Sequence, residues 1–288
     1  PYWGRLSDSI GRKPVLILTL LGSGLSYVIL AYAPNLTVVI LSRILSGLMA
    51  GNVSIAFAYV ADITDDSNRS AGLGKVSAAL GLGFMTGPAI GGLLAGNNVE
   101  NANYLLTALA AAGINFLAML AAIVFLKESL DVKKRKPFEG FSKIITLATF
   151  SPAKSILPLV SCGLIFYTAM SMMESIFPLW ANKIFSYGPS NIGGVFFMLG
   201  SLGVIIQGGL IGRLTNLLGE KKLIQLAALS LMAGLILIGS ATFAFSLWIG
   251  LFFFGCGSAI FNPSLSSLIS KSADPTSRGQ YLGHYQAA

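Results

Sequence analysis

Charge is what this chain lacks most. Of 288 residues, only 10% are Asp, Glu, Lys or Arg, against about a quarter in a soluble domain. A water-soluble chain so poor in charge would have too little polar surface to cover itself, which excludes an ordinary soluble globule. Cysteine is scarce too. Cys162 and Cys256 both fall in apolar runs, and no disulfide framework is implied; they read as small packing residues. The single histidine, His284, has no cluster of Cys or carboxylates near it in sequence. There is no metal-ligand spacing, phosphate-binding loop or nucleophile triad. Enzyme activity, a metal and a cofactor are therefore not expected.

What is present in quantity is oil. Apolar residues make up 54% of the chain and the mean hydropathy is +0.76. The apolar runs are continuous rather than alternating, which points away from an outer-membrane barrel. Crossing ~30 Å of hydrocarbon takes ~20 helical residues, and backbone amides in lipid must bond within their own segment. On that rule eight spans are expected, at 14–33, 37–60, 72–96, 104–126, 156–180, 191–212, 222–241 and 245–270. Residues 1–6 read as the tail of an earlier span and 279–288 as the start of a later one, so the chain reads as part of a longer protein.

The net charge of +8 is distributed by topology. Alternate loops hold Arg5, Arg12, Lys13, Arg69, Lys75, the run from Lys127 to Lys154 (including Lys133–Lys136), Arg213, Lys221, Lys222, Lys271 and Arg278. The opposite loops hold only Lys183. The positive-inside rule puts the rich set in the cytoplasm of a multi-pass protein of the inner, or plasma, membrane. Basic residues scattered in this way are not a nucleic-acid patch.

A long repeat underlies the pattern. "GRLSDSIGRK" at Gly4–Lys13 returns as "GRLTNLLGEK" at Gly212–Lys221, an offset of 208. Arg69 and Gly74 return as Arg278 and Gly283 at an offset of 209. A period that holds six spans indicates two related six-helix halves with a binding site between them. The expected organisation is an N-terminal bundle at 1–126, a basic linker at 127–155 and a C-terminal bundle at 156–288. Within the linker, "FSKIITLATF" reads either as a surface amphipathic helix or as solvated chain.

Three stretches carry more than topology. In "GRLSDSIGRKP", Gly4 and Gly11 permit a tight turn, and Asp8 suits a helix N-terminus or a pairing with Arg12. "GKVSAALGLGFMTGPAIGG" has Gly74, Gly83, Gly87, Gly91 and Gly92 on a helix that Pro88 bends. Such glycines let a neighbouring helix approach closely. "LSRILSGLMAG" places Arg43 inside a span, at a cost of at least ~2.5–3.5 kcal/mol on insertion scales, so it faces a partner or a wet cavity, or snorkels to the interface.

These stretches resemble the signatures of the major facilitator superfamily at its loop 2–3, fifth helix and fourth helix. The resemblance covers essentially the whole chain. It implies an all-α membrane fold of two six-helix bundles related by a pseudo-two-fold, entered here at the end of helix 2 and left at the start of helix 11. It implies that Gly4, Asp8, Gly11, Arg12 and Lys13 form a cytoplasmic gating motif, joined by Asp62 at the end of "YVADIT". It implies that the fifth-helix glycines and Pro88 mark the drug–proton antiporter branch, and that Arg43 takes part in proton coupling. In the second copy Asn216 replaces the acid and Glu220 replaces the base, so a strong gate is not expected there.

Glu174 in "SMMESIFPLW" is the only carboxylate well inside a span. A carboxyl withdrawn from water holds its proton more readily, as a coupling group must; the other reading is a rim acid paired with Lys183. Gln207, Asn52, Asn115 and Asn262 either line a cavity or bond between helices, and "FNPS" at 261–264 is expected to break its helix. Phe166, Tyr167, Phe177 and Trp180 face lipid or a flat substrate.

Within the superfamily the chain is most similar to the tetracycline-resistance exporters, through "YVADITDDSNR", "GINFL" and "IGGVFFMLGSLGVIIQ". It departs from them at Ser26, where they have an acid, and at Gly203, where they have a histidine. The resulting expectation is an exporter of small organic or drug-like molecules by proton antiport, acting as a monomer in the lipid bilayer. A metabolite symporter or uniporter shares the fold, and a non-transporting receptor or scaffold is the alternative of another class.

Overall fold

The computed structural model describes residues 2–65, 68–131, 135 and 157–272. Among these residues every regular element is a helix. The first helices are α1 (Tyr2–Ile10), α2 (Arg12–Ala31), α3 (Leu36–Leu48), α4 (Asn52–Ile63), α5 (Arg69–Ala95) and α6 (Tyr104–Phe125). After the linker come α7 (Leu157–Phe185), α8 (Pro189–Ile205), a π-helical turn at Ile206–Leu210, α9 (Ile211–Gly239) and α10 (Ala244–Ser272). The segment "FSKIITLATF", Lys133, Lys134, Lys136 and His284 lie outside the described residues.

Among the described residues seven stretches are long and apolar enough to cross a membrane, where eight were expected. The difference lies at Pro189–Gly239, a helical run of 51 residues that holds two of the expected spans. At 1.5 Å per residue, such a length far exceeds one bilayer crossing. The chain redirects at Gly219, whose φ of 74° and ψ of 157° are not helical. The loop expected between the two spans is thus condensed into one glycine. Gly11, its repeat counterpart, has φ 115° and ψ 157°. Both halves of the repeat turn on the same left-handed-side backbone, which glycine adopts without the clash a Cβ brings.

Two further local features stand out. The span expected at 37–60 is present as one stretch, Leu36–Ile63, whose helix is interrupted at Met49–Gly51 between α3 and α4. Trp3 sits against the break: its indole N–H donates to the Leu48 carbonyl at 2.6 Å, and its ring occupies the space a side chain on Gly51 would need. Conversely, α10 runs unbroken through "FNPS" with Pro263 inside it. Proline removes one backbone donor, and a membrane helix absorbs that loss without ending.

Residues 1–80 with 103–150 form one compact unit, and 81–102 with 151–288 form another. In the first, α2 turns a stripe of Val15, Thr19, Gly22, Ser23 and Ser26 inward. The stripe follows the three-to-four spacing of one helix face. Gly24 lies against the Phe116 ring of α6, and Gly22 against Met49. In the second, α9 and α10 meet backbone to backbone: Gly234 sits on Gly250 and Phe254, and Gly257 on Ala227 and Leu231. Two apolar clusters complete that unit. One joins Phe166 to Ala227, Phe261, Leu265 and Ile269. The other joins Phe177 and Ala181 to Val195, Ile238, Leu247, Leu251 and Phe254. Phe166 and Phe177 are therefore core residues rather than lipid-facing ones.

Candidate functional site

The turn between α1 and α2 is where the scarce charge collects. Arg12 is the first residue of α2 and only 9% exposed. Its Nη1 pairs with Asp8 at 2.6 Å and donates to Ser7 Oγ at 2.6 Å, while its Nε donates to Asp62 at 2.9 Å. The side chains of Asp8 and Asp62 remain 39% and 25% exposed. One buried cation thus ties the end of α4 to the end of α1 through two partly wet carboxylates. Of the two roles open to Asp8 in the sequence, the structure shows the pairing with Arg12. Planar guanidinium donors suit this bridging better than a point-charge ammonium.

The backbone at the same turn is satisfied from another element. Glu128, three residues past α6, accepts from the Arg12 N–H at 2.9 Å and the Lys13 N–H at 3.2 Å. Lys13 Nζ donates to the Ile123 carbonyl of α6 at 2.8 Å, and Ser129 Oγ donates to Asp62 at 3.2 Å. Gly11 leaves the space that the Glu128 carboxylate fills. Gly4, by contrast, has nothing near the position of a Cβ. Sequence reasoning missed Ser7, Glu128 and Ser129. The available signal was an acid placed directly after a span, in a linker otherwise basic. In the second copy the inversion of charge has a consequence: Glu220 accepts from Ser267 Oγ at 3.2 Å.

A glycine seam is built on α5 and α8. A Cβ on Gly92 would meet the Pro189 carbonyl oxygen at 2.5 Å and Gly193 Cα at 3.1 Å. A Cβ on Gly193 would meet the Pro88 carbonyl at 2.5 Å, and one on Gly200 would meet Met85 Cα at 2.6 Å. Gly188 lies on the Asn97 backbone, and the Ser190 N–H donates to the Gly96 carbonyl at 3.1 Å. Of the motif positions, Gly92 and Pro88 make the close approach. Gly74, Gly83 and Gly87 would meet nothing within 4 Å, and Gly91 is half-buried beside Gly92. The partner glycines 188, 193 and 200 were not singled out from the sequence.

The remaining candidates are dispersed. Arg43 is exposed on α3, and its guanidinium carbon stands 5.0 Å from the Tyr27 ring centroid, a cation–π stack. Glu174 is exposed on α7 and makes no ion pair with Lys183. Gln207 is exposed within the π-helical turn. π turns recur at functional positions. Asn52 Oδ1 accepts from the Val53 N–H at 2.9 Å at the start of α4. Asn115 donates to the Ala111 carbonyl of its own helix at 2.9 Å, and Asn262 accepts from the Tyr167 hydroxyl at 3.2 Å. Among the described residues no group of His, Cys, Asp and Glu is arranged to hold a metal ion.

Apolar helices of spanning length, backbone-close glycine seams and charge concentrated at helix-end turns define a multi-pass helical membrane protein. The chain belongs to the Major Facilitator Superfamily, whose family model matches residues 1–288. It is 34% identical over 235 residues to Multidrug resistance protein 2 of Bacillus subtilis (strain 168), covering 80% of this chain and 57% of that protein. It is 30% identical to the class E tetracycline resistance protein of Escherichia coli, covering 98% of this chain and 69% of that one. The crystal structure of the human organic anion transporter MFSD10 (TETRAN) matches with a TM-score of 0.66 and 27% identity, over 99% of this chain and 70% of that one. The chain thus carries the fold of this superfamily and spans a little over half the length of the Bacillus protein, 57%.

Proposed function

We propose that the protein is a secondary active exporter of small organic or drug-like molecules, working by alternating access and driven by proton antiport. The observation that carries this reading is the Arg12 bridge. A transporter that opens by turns to either side needs contacts strong enough to hold one state and weak enough to break within each cycle. Arg12 held by Asp8 and Asp62, all at a helix-end turn, meets that need. Its carboxylates stay wet enough to be released, because solvent screens them even where the guanidinium is buried. The multidrug- and tetracycline-resistance relatives support the direction of transport. On the same reading, the basic loops with Arg12 and Lys221 face the cytoplasm of a plasma membrane, and the six-helix halves are joined by the basic linker at 127–155.

The coupling site is assigned to Glu174, a carboxyl on a spanning helix that makes no ion pair among the described residues, with Arg43 as the intramembrane base. The test is ethidium uptake by everted vesicles holding the full-length protein, with and without a proton gradient. Gradient-driven accumulation in the wild type and its loss in Glu174→Gln is the expected result. Accumulation that ignores the gradient removes the antiport reading, and a normal Glu174→Gln moves the proton site elsewhere.

One observation favours a second substrate class. Arg43 is exposed, stacked on Tyr27 and makes no ion pair among the described residues. That arrangement suits an aromatic organic anion, and the structural neighbour MFSD10 is described as an organic anion transporter. Competition of a fluorescein-type anion against ethidium separates the two classes.

A further inference from the structure

The contacts of Glu128 form a reciprocal clasp between two helix ends. The first N–H groups of a helix have no partner within it. At α2 the N-cap is Gly11, which brings no side-chain acceptor. Glu128 supplies both missing bonds, to Arg12 at 2.9 Å and Lys13 at 3.2 Å, while also accepting from its own Leu130 N–H at 3.0 Å. The helix that precedes Glu128 is α6, and its terminal carbonyls are orphaned in the same way. Lys13 Nζ returns a bond to one of them, Ile123 at 2.8 Å. Each helix end therefore receives a charge from the other, negative at the N-terminus of α2 and positive at the C-terminus of α6. Both signs are those the helix dipole favours.

The clasp grips the backbone of the residue whose side chain forms the bridge. Arg12 has its N–H on Glu128 and its guanidinium on Asp8, Ser7 and Asp62. Ser129, next to Glu128, reaches the Asp62 oxygen that receives Arg12 Nε. We infer that Glu128 is a positioning residue for the bridge: it fixes the height and rotation of the first turn of α2, so that one guanidinium reaches both carboxylates. Gly11 is the glycine that makes room for it, since a Cβ there would collide with the Glu128 carboxylate. This inference rests on the reading of Asp8, Arg12 and Asp62 as a latch.

The experiment needs no transported ligand. In the purified full-length protein, with Cys162, Cys256 and any cysteine outside residues 1–288 replaced by alanine, the half-buried Ser9 of α1 is replaced by cysteine. Its labelling rate with a maleimide then reports how often the turn opens. Glu128→Gln keeps the size of the side chain, but an amide lacks the charge and the second acceptor oxygen. Its labelling is expected to rise about tenfold, as for the loss of one charge-assisted hydrogen bond. Asp62→Asn is expected to do the same. If Glu128 acts through Arg12, the double variant labels no more than about twofold faster than the quicker single one.

Three results overturn the proposal. Glu128→Gln labelling at the wild-type rate shows that the clasp holds nothing. A double variant at the product of the two single effects, about a hundredfold, shows that Glu128 acts apart from the bridge. Asp8→Asn and Asp62→Asn at the wild-type rate, with Glu128→Gln fast, show that the latch reading has failed and that Glu128 is only a helix cap. Should Glu128→Gln elute as aggregate, Lys13→Met removes the return bond to Ile123 and leaves the carboxylate in place. It is then read against Asp62→Asn by the same criteria.

Discussion

Gly92→Ala adds one methyl group at one of the two tightest points of the α5–α8 seam. The new carbon would lie 2.5 Å from the Pro189 carbonyl oxygen, where ordinary contact begins at 3.4 Å. The obstruction is backbone, so no side chain can rotate away, and the two helices must part by roughly 1 Å. A gap of that size forfeits a quarter to a half of each dispersion contact along the seam. In lipid no hydrophobic term pulls the helices back together. Overpacking of this kind costs about 1–3 kcal/mol. Gly87→Ala, five residues earlier on the same helix, meets nothing within 4 Å. Its cost is expected to stay below about 0.5 kcal/mol, since alanine also favours helix over glycine. The assay is thermal unfolding of the purified protein in detergent, with both variants beside the wild type. Adding Gly193→Ala to Gly92→Ala should cost less than its effect alone, because the helices have already parted. Equal stabilities of Gly92→Ala and Gly87→Ala would refute the seam, and with it the physical account of the glycine motif.

Replacing Arg12 by Lys should cost about 1–2 kcal/mol by the same assay, because one ammonium cannot hold the fork to Asp8, Asp62 and Ser7; equal melting with wild type would argue against a shared bridge. Gly11→Ala and Gly219→Ala both force a Cβ into positive φ, at about 1–2 kcal/mol each. Only Gly11→Ala also strikes a neighbour, the Glu128 carboxylate, so it should be the more damaging of the pair. Tyr27→Leu should remove a cation–π stack of about 0.5–1 kcal/mol and change handling of a fluorescein-type anion more than that of ethidium; identical ratios for the two probes would take Arg43 away from the substrate path.

Much of the fold could be read without coordinates. Hydropathy placed the apolar helices to within a few residues, and the repeat matched Gly11 to Gly219, which turn out to share their backbone conformation. The errors have local physical causes. A single positive-φ glycine did the work of the loop expected between 212 and 222, and length rules do not register a turn of one residue. Pro263 was expected to break a helix that absorbed it, because only one hydrogen bond was at stake. At the site, Asp8 and Arg12 were legible because they lie four positions apart in the chain, across one turn. Glu128 was not, since 116 positions separate it from Arg12 in the chain.

The sequence alone determined that this chain is helical and built to lie in lipid, and that its charge belongs at the helix ends. Those properties follow from each segment's own requirement: a backbone without water must bond within itself, and ions must stay near water. Only the tertiary structure decided which carboxylates Arg12 meets, that Glu128 caps α2, and that Gly92 rather than Gly87 is the point of contact. Each of these depends on the rotation of one helix about its axis against another. That rotation is set jointly by surfaces distant in the chain, so no local pattern of residues contains it.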